Sequence, residues 1–206
     1  MELMEIFMKK FILTSLLPLA LLSACGGSNS AEIDALRADV NALKLEVFGD
    51  PNAICPEDQR LTDISAYEAA LGELPSVDLD PEAWHNALSE AANISTLPSG
   101  LQYKVVQDGI KNGPTPEGRQ RVSVNYHGFF TDGQSFDSSY ERGEPISFPV
   151  NGVIRGWVEA LKGMKACEAR ILYIPSELAY GENGRSSIPK NATLLFYVQL
   201  LEIDQK

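Results

Sequence analysis

Histidine and cysteine are scarce in this chain: two histidines (His85, His127) and three cysteines (Cys25, Cys55, Cys167) among 206 residues. No cysteine stands near another in sequence, whereas a Cys/His zinc site draws its ligands from short, paired spacings. A metal centre is therefore not expected, nor is any cofactor. Cations are also in the minority, with 17 Lys and Arg against 28 Asp and Glu, a net charge of −11. Nucleic acid is excluded as an expected partner, because a phosphate backbone demands clustered Lys and Arg. Long apolar runs are missing too. The run from Phe11 to Leu22 is about a dozen residues, short of the ~20 that span a bilayer as a helix. What remains, 44% hydrophobic and 22% charged residues, is a globular composition.

The N-terminus reads as an address. Lys9-Lys10, the short apolar run and the small residues Ser23-Ala24 fit a secretory signal over residues 1–24, with Met1 and Met8 both open as the start. The string Leu22-Ser23-Ala24-Cys25 resembles the lipobox of bacterial lipoproteins. That resemblance implies acylation of Cys25 and a lipid membrane as a partner, since attached acyl chains bury methylenes at ~0.8 kcal/mol each. Gly26 is not the aspartate associated with inner-membrane retention. The expected location is thus the bacterial cell envelope, lipid-anchored, on the outer membrane facing the periplasm.

Residues 25–48 read as a tether and a short coiled-coil helix. Ile33, Leu36, Val40, Leu43 and Val47 recur at alternating spacings of three and four, with charged residues on the other faces. Such a seam serves either a homo-oligomer through residues 31–48 or packing on the same chain's connector. It also resembles the start of the major outer-membrane lipoprotein's coiled coil, so stoichiometry stays open. Gly49 to Asn52 breaks the helix, and residues 49–96 form a helical connector. In it, Thr62 or Asp63 is a candidate cap for a helix with Tyr67, Ala70 and Leu71 inward. Asp80-Pro81-Glu82 reads as cap, first turn and first-turn acid, followed by the stripe Trp84, Leu88 and Ala91-Ala92. His85 reads as a structural residue of that helix. Cys55 and Cys167 are free to pair in an oxidising compartment, but their sequence positions give no distance, so the disulfide stays open.

From residue 97 the pattern changes to strands. Candidates are Leu101 to Val106, Arg121 to Tyr126, Ile146 to Val150, Ala169 to Ile174 and Thr193 to Ile203, with one short helix from Val153 to Leu161. The expected class is α+β: a twisted antiparallel sheet wrapped over one short helix, preceded by an α-helical N-terminal region.

Residues 97–206 carry, in order, VNYHG, FDSSYERGEPISFPV, VIRGWVEALKGMK, IPSELAYGENG and IPKNATLLFYVQLLEI. With these blocks the segment resembles the FKBP family of peptidyl-prolyl cis/trans isomerases. The resemblance implies an isomerase acting on X–Pro bonds of polypeptides that fold in the envelope or outside it, and inhibited by macrolides of the FKBP class. It assigns Tyr180, Asp137, Ile154 and Trp157 to catalysis. Tyr180 would hold the isomerising carbonyl, Ile154 would offer its N–H, Trp157 would form the floor and Asp137 would orient neighbours at the rim. Tyr126, Phe136, Phe148, Val153 and Phe196 would bind substrate. Departures from the family pattern are Ile146 where an aromatic often lies, Arg185 in the flap, and a shorter loop from Gly184 to Ile188 that leaves the lid role of Ile188 open. His127, adjacent to Tyr126 on a period-two strand, points to the opposite face. Two other readings compete: a binding module or chaperone for proline segments, and a structural lipoprotein whose coiled coil is the working part.

Overall fold

The computed structural model divides the chain into two units, residues 1–50 and 51–206. It describes Asp39, residues 54–76 and residues 78–204. The signal segment, Cys25 and the seam of Ile33, Leu36, Val40, Leu43 and Val47 lie outside the described residues.

Residues 54–204 build one antiparallel sheet of seven strands with helices on both faces. In chain order the elements are α1 (Ser65–Leu71), α2 (Pro81–Ser89), β1 (Ser95–Thr96), β2 (Gln102–Gln107) and β3 (Arg121–Phe130). They continue with β4 (Ser135–Ser138), α3 (Ser139–Arg142), β5 (Ile146–Pro149), α4 (Arg155–Lys162), β6 (Ala169–Ile174) and β7 (Leu194–Ile203). Strand order is β1-β2-β6-β7-β3-β4, with β5 also on β3. β3 thus changes partner along its length. Val122–Val124 face β5, while His127–Phe129 face β4. At the gap between them the Tyr126 N–H donates to the Ser139 hydroxyl at 2.8 Å, so the break in the ladder leaves no orphan donor.

Helix α2 starts as its sequence dictates. The Asp80 carboxylate accepts from the Ala83 N–H at 2.9 Å, and Pro81 occupies the first helical turn. Helix α4 packs across the concave face, and its Trp157, Ala160 and Leu161 join Val124, Leu172, Ile174, Phe196 and Val198 in the main core.

The convex face is not left to solvent. Tyr67 of α1 and Trp84 and Leu88 of α2 form a second core with Phe129, Ile171, Tyr173, Leu195 and Tyr197. Tyr67 stacks on Tyr197 at 4.8 Å and 9°. His85 is the joint between α2 and the sheet: its Nδ1 lies 2.6 Å from Gln102 Oε1, its Nε2 3.3 Å from Thr193 Oγ1, and its carbonyl accepts from the Gln102 amide at 2.8 Å. Burial pushes the His85 imidazole below its ordinary range, against the opposing effect of the Gln102 hydrogen bond. All six residues of β6 are buried as a result, and nine of the ten in β7.

Cys55 and Cys167, left open by the sequence, form a disulfide across 112 residues with Cα atoms 4.8 Å apart. The Cys55 N–H donates to Leu201 O at 2.7 Å and Ile54 bridges Glu202, so this segment pairs with the end of β7 beyond the last β6 partner. The Gln199 side chain completes the knot by donating to Gln59 O and accepting from the Leu61 N–H.

Candidate functional site

Two close approaches shape the concave face beside β3. Gly128 is the first: a Cβ there would lie 2.7 Å from the Phe136 ring and 2.8 Å from Phe196. Its bareness lets Phe136 and Phe196 meet edge to face at 5.5 Å. The second is Gly184, at φ +66°, where a Cβ would sit 2.5 Å from Ile188 O. That residue can only be glycine without displacing the loop.

Between these points lies a cleft of about 430 Å³, lined by Tyr126, Ile146, Phe148, Val153, Ile154 and Trp157, with Tyr180, Arg185 and Phe196 across from them and Gly152 and Ala179 between. Trp157 is 5% exposed, which makes its indole the floor. Three rings meet it edge to face: Tyr126 at 5.5 Å, Phe148 at 5.7 Å and Phe196 at 5.2 Å. Each of four elements supplies one ring, β3 Tyr126, β5 Phe148, α4 Trp157 and β7 Phe196, so the hollow exists only when the sheet has closed over α4. Ile154 caps α4, where backbone N–H groups lack intrahelical acceptors, and its carbonyl accepts from Val158 at 3.1 Å. Tyr180 is half-buried on the loop after β6. That loop is tied to the start of α4 by the Arg155 guanidinium, which donates to Glu177 O.

Two of the expected site residues stand behind the lining. Phe136 packs on Phe196 and, at 4.8 Å, on Phe130, so it buttresses the wall. Asp137 accepts from the Tyr126 hydroxyl at 2.5 Å and forms an ion pair with Arg142. The Arg142 guanidinium also donates to the Tyr126 oxygen at 2.8 Å. Burial pushes the Asp137 carboxyl up, but the hydrogen bonds from Tyr126 and Arg142 and the Arg142 charge outweigh it and hold it below the usual carboxylate range. Burial first, and then the bond to Asp137, push the Tyr126 phenol up to about 12. Tyr126 is consequently a neutral donor, aimed at a permanent carboxylate, with its ring fixed in the wall. Arg142 lies inside FDSSYER and was given no role from the sequence, because a single exposed arginine on a turn carries no signal until its partners are placed.

Ile188 does not line the cleft. It packs against the main core, and its backbone exchanges hydrogen bonds with Arg185. His127 faces the other way, 5.9 Å from Tyr197 and 5.7 Å from Phe129 on the convex side. No group of three or more His, Cys, Asp or Glu among the described residues is placed to hold a metal. The cleft presents aromatic walls, a phenol and a helix-capping backbone to a ligand, a set suited to binding a neutral, apolar group with one or two carbonyls.

Known proteins resemble this chain in sequence and fold. Residues 113–201 match the family model described as FKBP-type peptidyl-prolyl cis-trans isomerase. The isomerase FkpA of Aeromonas hydrophila is 40% identical over 151 residues, which are 69% of this chain and 56% of that protein. The FKBP-type 22 kDa isomerase of Escherichia coli is 51% identical over 119 residues, 57% of this chain and 56% of that one. The chain therefore spans somewhat over half the length of these curated relatives. Among solved structures, the crystal structure of FkpA from Escherichia coli matches with a TM-score of 0.57 at 32% identity, covering 95% of this chain and 82% of that one. With the family model matched over residues 113–201 and this likeness to named members in sequence and fold, the chain belongs to the family of FKBP-type peptidyl-prolyl cis-trans isomerases.

Proposed function

We propose that the protein catalyses cis/trans isomerisation of X–Pro bonds in polypeptides folding in the bacterial envelope, and that it does so in the Trp157 cleft. The observation that carries this reading is an open apolar cleft floored by one indole, with three rings edge-on to it.

Resonance gives the amide C–N bond a rotation barrier of ~18–20 kcal/mol, and X–Pro isomers of similar energy exchange over tens to hundreds of seconds. Rotation breaks no covalent bond. The planar amide is the more dipolar species, and twisting it removes charge separation. An apolar cup therefore disfavours the flat amide relative to the twisted one, which is differential binding in the productive direction. In this reading Tyr126, Phe148, Val153 and Phe196 grip the prolyl ring over Trp157, and Phe136 holds Phe196 in place. Tyr180 and the Ile154 N–H hold carbonyls while the other side of the bond turns. Asp137 acts through Tyr126 and transfers no proton. Each ~1.4 kcal/mol of preference for the twisted amide is a tenfold gain in rate.

Residues 97–206 would then be the isomerase domain, with residues 1–24 a signal, Cys25 an acylated anchor to the outer membrane and residues 31–48 a self-association helix. The lipobox-like string before Cys25 and the paired secretory cysteines support export. Among the described residues no helix is long and apolar enough to cross a membrane. The test is refolding of a proline-limited substrate protein with purified protein added, with and without a macrolide of the class that binds this family. The slow phase should accelerate and the macrolide should abolish the effect. An unchanged slow phase refutes the reading.

A further inference from the structure

Arg185 is the only charged side chain among the residues that line the cleft. Its guanidinium carbon lies 5.8 Å from the centroid of the Tyr180 ring. Its backbone is held by reciprocal hydrogen bonds with Ile188, at 2.9 and 2.7 Å, across the two-residue turn Ser186-Ser187. The side chain is exposed and pairs with no carboxylate among the described residues, where arginine–carboxylate pairs are Arg142–Asp137 and Arg170–Glu168. Of the neighbouring cations, Arg142 is committed to Asp137, and Arg155 donates to the Glu177 carbonyl. A turn closed by two backbone hydrogen bonds thus presents one guanidinium without a carboxylate partner at the wall of an otherwise uncharged hollow.

We propose that Arg185 sets substrate choice by selecting an acidic side chain on the residue that precedes the proline. This rests on the isomerase reading. If the Tyr180 hydroxyl holds the carbonyl of that residue, the residue's own side chain branches from the carbon next to the held carbonyl, beside the ring that Arg185 covers. A guanidinium offers a planar fork matched to a carboxylate, is weakly hydrated, and is easily brought against an aromatic face. Apolar walls on one side lower the effective dielectric and strengthen the pairing over its value in bulk water. The local cation acts against the field of the whole molecule. A net charge of −11 by itself favours basic substrates and disfavours acidic ones. The two effects therefore predict opposite orders of preference.

The experiment is a peptide isomerisation assay with the full chain and acetylated Ala-Xaa-Pro-Phe peptides in which Xaa is Glu, Gln or Lys. The Glu:Gln ratio of kcat/KM isolates charge at nearly constant shape. The expected order is Glu, then Gln, then Lys, with a Glu:Gln ratio of roughly 1.5 to 5, the range for an exposed ion pair. Arg185→Ala should bring the ratio to about one and Arg185→Glu should invert it. Molar salt should shrink it in the unaltered protein, because the screening length falls to ~3 Å. Taking ratios within each variant removes any general loss of activity. Acceleration of all three peptides with Lys first, or with a Glu:Gln ratio that Arg185→Ala leaves in place, overturns the role of Arg185 alone. Acceleration of none overturns the isomerase reading and this inference with it.

Discussion

Tyr126 and Tyr173 show how differently two buried phenols can be treated. Tyr126 donates a hydrogen bond to Asp137 and accepts one from Arg142, so its polar end is satisfied while its ring lines the cleft. Because the Asp137 carboxyl is held below its ordinary range and the Tyr126 phenol is pushed up to about 12, neither group titrates near neutrality. A depressed carboxyl stays charged until the pH falls beneath its unfolded value of about 3.9, and a raised phenol stays neutral past its own of about 10. The isomerisation rate should accordingly be flat from roughly pH 5 to 9 in a pH profile of kcat/KM, and a bell-shaped curve would contradict the positioning role of this pair. Tyr173 is fully buried in the convex core, and its hydroxyl has no hydrogen-bond partner among the described residues. An unmet buried hydroxyl costs about 1–3 kcal/mol. Tyr173→Phe should therefore raise unfolding stability by about 1 kcal/mol in urea denaturation, and a loss of that size would reveal a partner for the hydroxyl. Of the residues assigned from the sequence, those with rings in the cleft were legible because they fall inside ordered family blocks. Arg142 was not, since its meaning lies in a contact across β3 and α3.

At the scale of elements, β3 is readable from period-two alternation, β6 and β7 from apolar, β-branched and aromatic runs, and α4 from the short stretch closed by Gly163, although β3 runs four residues beyond Tyr126. β4 was missed, because Ser135 to Ser138 is too short and polar to carry an alternation signal of its own. Helices α1 and α2, with Tyr67, Trp84 and Leu88 inward, are legible as a helical connector, but the sheet face that receives them is not. ARILYI and LLFYVQLLEI are nearly continuous apolar runs, and an antiparallel strand with one wet face alternates instead. Those runs announced that both faces of β6 and β7 are covered, and Tyr67, Trp84 and Leu88 do the covering. Trp84 is 2% exposed and donates to Pro75 O at 3.2 Å. Trp84→Ala should cost about 3–5 kcal/mol of stability, the usual range for emptying a large core site. Thermal and denaturant unfolding would measure it, and a loss under about 1 kcal/mol would mean that α2 is only loosely docked.

For the molecule as a whole, the Cys55–Cys167 bond joins the segment before α1 to the turn before β6, enclosing most of the fold in one covalent loop. Closing a loop of that length restricts the unfolded chain by an amount that chain-entropy arguments place at about 4–5 kcal/mol. Replacing both cysteines by serine should lower unfolding stability by about 2–5 kcal/mol, and reductant should do the same to the unaltered protein but not to the variant. Equal stability of the two proteins would show that the bond adds nothing. The pairing was invisible in the sequence because distance between cysteines is a property of the closed sheet and not of spacing along the chain. The cleft has the same character, as its four rings come from four elements and meet only over Trp157. The most direct test of that cleft is the cis-to-trans rate of a short X–Pro peptide, compared among the unaltered protein, Tyr180→Phe and Trp157→Ala. The account predicts clear acceleration by the first, a loss of roughly three- to tenfold on removing the hydroxyl, and a larger loss on removing the floor. Equal rates for all three proteins, or no acceleration by any, would contradict it.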